Sequence, residues 1–369
     1  MTFLEAPALS TPLLRQQGGE TRFPHPRPDD RRPGVAGRAL PSRKQGGFRV
    51  TILDLVRLNL LSPMVLAFVL GGIATLVRSD LKFPEELYVG LSIYLLLAIG
   101  LKGGAALSET PFSVILWPAL ATLALGLGIP IVAYVILRRL GRFEIADAAA
   151  LAAHYGSVSA VTFAAVQTFL EALKVPYEGF TPTLVALLEV PAIIVALLIA
   201  RVAMGQGGNW GELIHELLAG KSILLLLGGL VIGFLAGQAG LKQVAPLFVD
   251  PFKGVLTLFL LEMGMVAARR LGDLRKVGMF LVAFGILMPI ASGIAGIWLG
   301  RLTGLSPGGA VVLGTLAASA SYIAAPAAVR IALPQANPSY YLTASLAITF
   351  PFNLAIGIPL YYGLSNLFY

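Results

Sequence analysis

Leu316-Ala-Ala-Ser-Ala-Ser-Tyr-Ile-Ala-Ala-Pro326 interrupts a long apolar region with small residues, two serines, a tyrosine and a closing proline. A lipid-facing helix gains nothing from this composition. Small residues let backbones approach closely, and proline withdraws an amide donor and limits helix continuity. Irregular backbone at membrane depth is tolerated only where protein buries it or a water-filled cavity lies beside it. The stretch therefore reads as a tight helix-packing seam or as a broken membrane helix that builds a binding site.

The composition around it decides the class. The chain has 369 residues, 57% hydrophobic and 12% charged, about half the ~25% charge of a soluble domain. That describes an all-α polytopic membrane protein, and at ~20 apolar residues per span about ten helices fit. The alternating pattern of barrel strands is missing, which argues against a β-barrel. The absence of cysteine excludes disulfides and thiol chemistry.

The formal charge of +8 sits largely in residues 1–47 and does not indicate nucleic-acid binding. That segment is rich in Arg, Pro and Gly, as in Arg22-Phe-Pro-His-Pro-Arg-Pro-Asp-Asp-Arg-Arg-Pro33. It has too little apolar surface to fold and reads as a disordered basic N-terminal extension. Its cations suit anionic lipid, but prolines and acidic residues interrupt any amphipathic pattern. No apolar core of a signal peptide follows the early arginine.

Ten spans are expected, near 60–78, 86–107, 112–138, 145–170, 180–203, 220–239, 250–268, 277–300, 307–332 and 339–366. Gly71-Gly72-Ile73 recurs as Gly228-Gly229-Leu230, and Ile99-Gly100-Leu101 resembles Met263-Gly264-Met265. Thr183–Pro191 matches Thr343–Pro351, and Ser157 and Ser159 fall over Ser319 and Ser321. The four matches keep one order with similar offsets. They imply two five-helix halves, 60–203 and 220–366, joined by a cytoplasmic linker over 204–219. Five is odd, so the second half enters the membrane from the opposite side, the inverted-repeat plan of secondary transporters. Outside the extension, the junctions with Arg138, Arg139, Arg201, Arg269, Arg270 and Arg330 carry more cations than those with Lys102, Lys174 and Lys253. The richer side is assigned to the cytoplasm. Both termini then lie outside, and the basic extension is expected to be absent from the mature protein. An inner (plasma) membrane, multi-pass location follows.

Inverted symmetry would bring Tyr155–Thr162 and Leu316–Pro326 together near the midplane. If each is a break, free amides and positive dipole ends face one cavity and suit a small anion without lysine or arginine. Gly156, Ser157, Ser159 and Thr162 from the first half, with Ser319, Ser321 and Tyr322 from the second, form the expected substrate site. Ionisable residues at membrane depth are functional candidates. Glu189, before Pro191, is the clearest, as a sodium or proton carrier, with Thr349 and Asn353 supplying neutral oxygens for ion coupling. His154 borders the first break and is read either as a structural histidine or as a proton relay. No metal-ligand cluster, nucleotide loop or nucleophile motif is visible, so neither enzyme activity nor a bound cofactor is expected.

The ordered set Ser62-Pro63, Gly71-Gly72, Gly100-Leu-Lys-Gly-Gly104, Gly156-Ser-Val-Ser159, Val190-Pro191-Ala192, Leu271-Gly-Asp-Leu-Arg-Lys-Val277 and Pro334-Gln-Ala-Asn-Pro-Ser339 resembles the cyanobacterial sodium-dependent bicarbonate transporter family. The likeness covers about residues 60–366. It implies a 5+5 permease, a homotrimer, that imports bicarbonate with sodium as co-transported ion. It also makes a PII-like cytoplasmic regulator a candidate partner, beside membrane lipid and the anion itself. The chain departs from the family pattern in the second break. An acidic residue associated with sodium is Tyr322 here, and two serines are Ala320 and Ala324. Three functions stay open: a sodium-coupled bicarbonate importer, a related permease for another small organic anion with proton or no coupling, and a transport-dead sensor or scaffold.

Overall fold

The computed structural model describes residues 51–204, 211, 215 and 218–369. The expected extension over 1–47 and most of the 204–219 linker lie outside the described residues. Every regular element among the described residues is helical. Helix α1 (Ile52–Leu60) starts on a capping box in which Thr51 Oγ1 accepts from the Asp54 amide and the Asp54 carboxylate accepts from the Thr51 amide at 2.9 Å. Such reciprocal bonds satisfy first-turn donors that the helix cannot. Ser62 caps α2 (Pro63–Leu76), with Pro63 in the first turn where its missing amide costs nothing. The chain bends by 62° between α1 and α2. The first expected span, 60–78, contains α2, and α1 precedes it across that bend.

The remaining helices are α3 (Glu85–Leu107), α4 (Phe112–Arg139), α5 (Ile145–Gly156), α6 (Ala160–Ala172) and α7 (Thr181–Met204). After the linker come α8 (Lys221–Phe248), α9 (Phe252–Arg270), α10 (Leu274–Leu302), α11 (Pro307–Ala317), α12 (Ala324–Ala332) and α13 (Pro338–Phe368). Helix α8 runs past the expected end at 239 but is broken by Gly237, whose φ of 61° and ψ of −167° only glycine adopts without strain. Helix α13 widens into π turns at Thr343–Thr349 and Asn353–Gly357. Pro351 and Pro359 lie in this helix, and neither can donate to the carbonyl four residues back.

Among the described residues, seven helical stretches are long and apolar enough to cross a membrane, or eight if α1 and α2 form one bent span. One of the seven, Phe252–Leu302, has 51 residues. At 1.5 Å per residue it would reach roughly 75 Å, far more than the ~30 Å hydrocarbon core. A 3₁₀ turn at Leu271–Asp273 separates α9 from α10, and Gly278, with φ of 77° and ψ of 159°, breaks the stretch a few residues on.

Glycines set the closest helix contacts. A Cβ on Gly71 of α2 would collide with the Leu261 carbonyl of α9, and one on Gly264 of α9 with the Phe68 carbonyl of α2. Helices α3 and α8 meet in the same manner: a Cβ on Gly229 would stand 3.0 Å from the Leu97 carbonyl oxygen and from the Gly100 Cα. In both pairs backbone rests on backbone, the small-residue packing of membrane helices. A second mirrored contact joins α4 to α7 at Gly126 and Leu188, and α10 to α13 at Gly285 and Ile348. Helix α5 is buried from Ala148 to Gly156, α11 from Gly308 to Ala317, and most of α6 is buried with them. Around these lie α3, α4 and α8, which expose apolar side chains such as Ile93, Trp117 and Leu235, as lipid contact requires.

Candidate functional site

The polar heart of the molecule lies between the ends of four short helices. The chain leaves helix at Ser157–Ser159, between α5 and α6, and again at Ala318–Ile323, between α11 and α12. The interruption expected in Leu316–Pro326 is therefore present. Pro326 itself falls in the first turn of α12, where the helix has no partner for its amide in any case.

The two breaks touch. The Ser159 amide donates to Ser319 Oγ at 3.0 Å, and the Ser321 amide donates to the His154 carbonyl at 2.8 Å. Each of these amides thus finds an acceptor across the crossing, Ser319 in the second break or the His154 carbonyl near the end of α5, as buried backbone requires. Equivalent serines play equivalent parts. Ser159 Oγ accepts from the Thr162 amide at 3.1 Å and caps α6, while Ser321 Oγ accepts from the Ala325 amide at 3.3 Å at the start of α12. Ser157 donates to the Glu189 carbonyl at 3.2 Å, and Ser319 to the Leu316 carbonyl at 2.8 Å. At Gly156 a Cβ would stand 2.8 Å from both the Ala192 Cβ and the Pro130 Cδ, so no larger residue fits there without displacing α4 or α7.

Beside the crossing is a cavity of about 10 Å³, room for about one water. Ser159, Glu189, Ser222, Ser321 and Tyr322 supply its polar lining, and Leu96, Val158, Ala160 and Ile323 its apolar lining. No lysine or arginine lines it. Glu189 is 5% exposed and its Oε2 has no hydrogen-bond partner. Tyr322 is 7% exposed, its hydroxyl interacts with Ser159, and its ring meets Phe350 edge-on with centroids 5.3 Å apart. A second cavity of about 400 Å³ opens outward past Glu85, Lys221 and Arg330. Ser222, Tyr322 and Ile323 border both cavities.

Of the substrate residues expected from the sequence, Ser159, Ser321 and Tyr322 reach the small cavity, with Glu189 beside them. Gly156, Ser157, Thr162 and Ser319 stand behind it and hold the crossing together. Thr349 and Asn353 do not line it. Thr349 Oγ1 donates to the Gly285 carbonyl and accepts from the Tyr155 hydroxyl, both at 2.7 Å. Asn353 Nδ2 donates to the Ala318 carbonyl at 2.7 Å, and its Oδ1 accepts from Tyr361 at 3.0 Å. His154 also lies off the cavity, stacked on Tyr341, with Nδ1 donating to the Ala150 carbonyl at 2.6 Å. The sequence reading missed Ser222, whose only signal was a serine at the head of an apolar run after Lys221.

Helices of this length and apolarity, enclosing polar breaks at their core, define a multi-pass membrane protein. Residues 63–366 match the model of the Na+-dependent bicarbonate transporter superfamily. The chain belongs to that superfamily, whose membership implies solute transport. No curated protein matches the chain.

Proposed function

We propose that the protein is a secondary transporter that imports a small anion, bicarbonate being the anion its family favours, by alternating access around the crossed breaks. The observation that carries this reading is the contact between the two breaks, through Ser159 with Ser319 and Ser321 with His154. It directs the first turns of α6 and α12 toward one place. The positive dipole ends of helices attract an anion there without a cationic side chain.

Ten crossings arranged as a 5+5 inverted repeat fit the same reading. Counting α5–α6 and α11–α12 each as one broken span, and α9 and α10 separately, gives ten from α2 to α13. The mirrored glycine contacts support the symmetry, because residues about 160 apart in sequence make equivalent contacts. The larger cavity opens on the face with Lys221 and Arg330, the side assigned to the cytoplasm.

Glu189 gives the site its coupling logic. A carboxylate and an anion do not share a desolvated cavity unless a proton or a cation accompanies them, since like charges there repel strongly. Entry of the anion together with sodium or a proton on Glu189 meets that condition. Tyr322 offers no charge to sodium, so Glu189 is the one carboxylate lining the cavity. A related reading, another small organic anion, is favoured by the apolar lining of Leu96, Val158, Ala160 and Ile323.

Ligand-induced stabilisation separates the two, because a ligand that binds only the folded state raises its unfolding midpoint. The full chain in detergent, heated with bicarbonate or with small carboxylates at fixed sodium and pH, should be stabilised by bicarbonate. Stabilisation by a carboxylate and not by bicarbonate would transfer the substrate assignment to the second reading.

A further inference from the structure

We propose that Tyr322 is an inner gate, a ring that closes the transport site off from the larger cavity and must swing aside for the anion to pass. The small cavity, at about 10 Å³, is below the volume of any oxyanion, so the anion does not fit there in this conformation. The larger cavity, at about 400 Å³, already reaches it. Of the three residues common to both, Ser222 is small and Ile323 backs onto the start of α12. Tyr322 has the bulk to stand between them.

Its setting suits a moving part. Tyr322 lies in the non-helical stretch Ala318–Ile323, so its side chain can turn without breaking a helix. Its ring edge meets Phe350 and its hydroxyl interacts with Ser159 at the small cavity. Rotation into the larger cavity would exchange these contacts for water, which bonds a hydroxyl nearly as well. The gate rests on reading the small cavity as the transport site, but its test does not require transport.

The chain contains no cysteine, so single cysteines can be placed without a background to remove. Ala160 lines only the small cavity and Ala327 only the larger one. Full-length Ala160→Cys and Ala327→Cys proteins in liposomes are treated with a small water-soluble methanethiosulfonate, and labelling rates are measured with Tyr, Phe or Ala at position 322. Residue 160 should label at least tenfold faster with Tyr322→Ala than with the native tyrosine, and as slowly with Tyr322→Phe as with the native residue. Residue 327 should label quickly and equally in all three. An unchanged rate at residue 160 with Tyr322→Ala overturns the gate. So does equal acceleration by Tyr322→Phe, or a parallel rise at residue 327, which would report general loosening. Gated labelling without anion uptake by the native protein would sink the transport reading and leave the gate standing.

Discussion

Asn353 ties the last helix, α13, to the second helix break. Its side chain is fully buried. It donates to the Ala318 carbonyl, where α11 has just ended, and accepts from Tyr361. Asn353→Leu keeps the branched shape of the side chain, replaces its polar atoms by methyls and leaves both partners unpaired in the interior. Each orphaned buried group costs about 1–3 kcal/mol, which places the loss at roughly 2–6 kcal/mol. Hydrogen bonds within membrane proteins measure lower, averaging about 0.6 kcal/mol, so about 2 kcal/mol is the expected loss. That multiplies the unfolded population roughly 30-fold, at about 1.4 kcal/mol per factor of ten. Part of the loss lies in the stranded Tyr361 hydroxyl, and Tyr361→Phe removes it. The double variant should therefore be less destabilised than the sum of the two single variants, by about 1 kcal/mol, the non-additivity of residues in one network. Equilibrium unfolding in mixed micelles measures all four corners of the cycle. Strict additivity, or an Asn353→Leu protein as stable as the native one, would refute a stabilising role for the Ala318–Asn353–Tyr361 bonds.

Three further outcomes follow from the same geometry. Gly264→Ala drives a methyl into the Phe68 carbonyl and should cost about 1–3 kcal/mol by overpacking; Gly128→Ala, with open space around it, should be neutral or gain up to about 1 kcal/mol from helix propensity, both read by unfolding midpoint. Glu189→Gln keeps the shape of the cavity and removes its charge, so uptake should lose its dependence on sodium or proton gradients while the midpoint holds or rises; an unchanged ion dependence would assign coupling elsewhere. The Lys253–Glu171 pair at 2.8 Å is half exposed, and surface pairs contribute about 0–1 kcal/mol; Lys253→Ala should leave the midpoint within that range, and a larger loss would show the pair to be more than a surface contact.

Both breaks could be read in the sequence because serines and small residues are conspicuous in an apolar chain, and the repeat made Ser157 and Ser159 partners of Ser319 and Ser321. Their meeting follows from the same symmetry. The symmetry identifies equivalent residues, but it does not say which atom satisfies which. Ser157 and Ser319 turned to backbone carbonyls behind the cavity, whereas Ser159 and Ser321 capped helices at its edge. Thr349 was paired with Glu189 by the repeat, yet Tyr155 and the Gly285 carbonyl hold it in place. Helix α1 went unseen because a short capped amphipathic turn resembles a loop when spans are sought by apolar length. Ser222 was missed because its neighbours in space, Glu189 and Tyr322, are distant in the chain.

The central claim is that the crossed breaks carry a small anion together with a positive ion. Uptake of labelled bicarbonate into proteoliposomes, with an inward sodium gradient, an inward proton gradient or neither, tests it most directly. The account predicts accumulation driven by one of the gradients, and loss of that gradient-driven accumulation in Glu189→Gln, the carboxylate lining the cavity. Equal equilibration under all three conditions would contradict coupling, and no uptake by a folded protein that carries another anion would contradict bicarbonate.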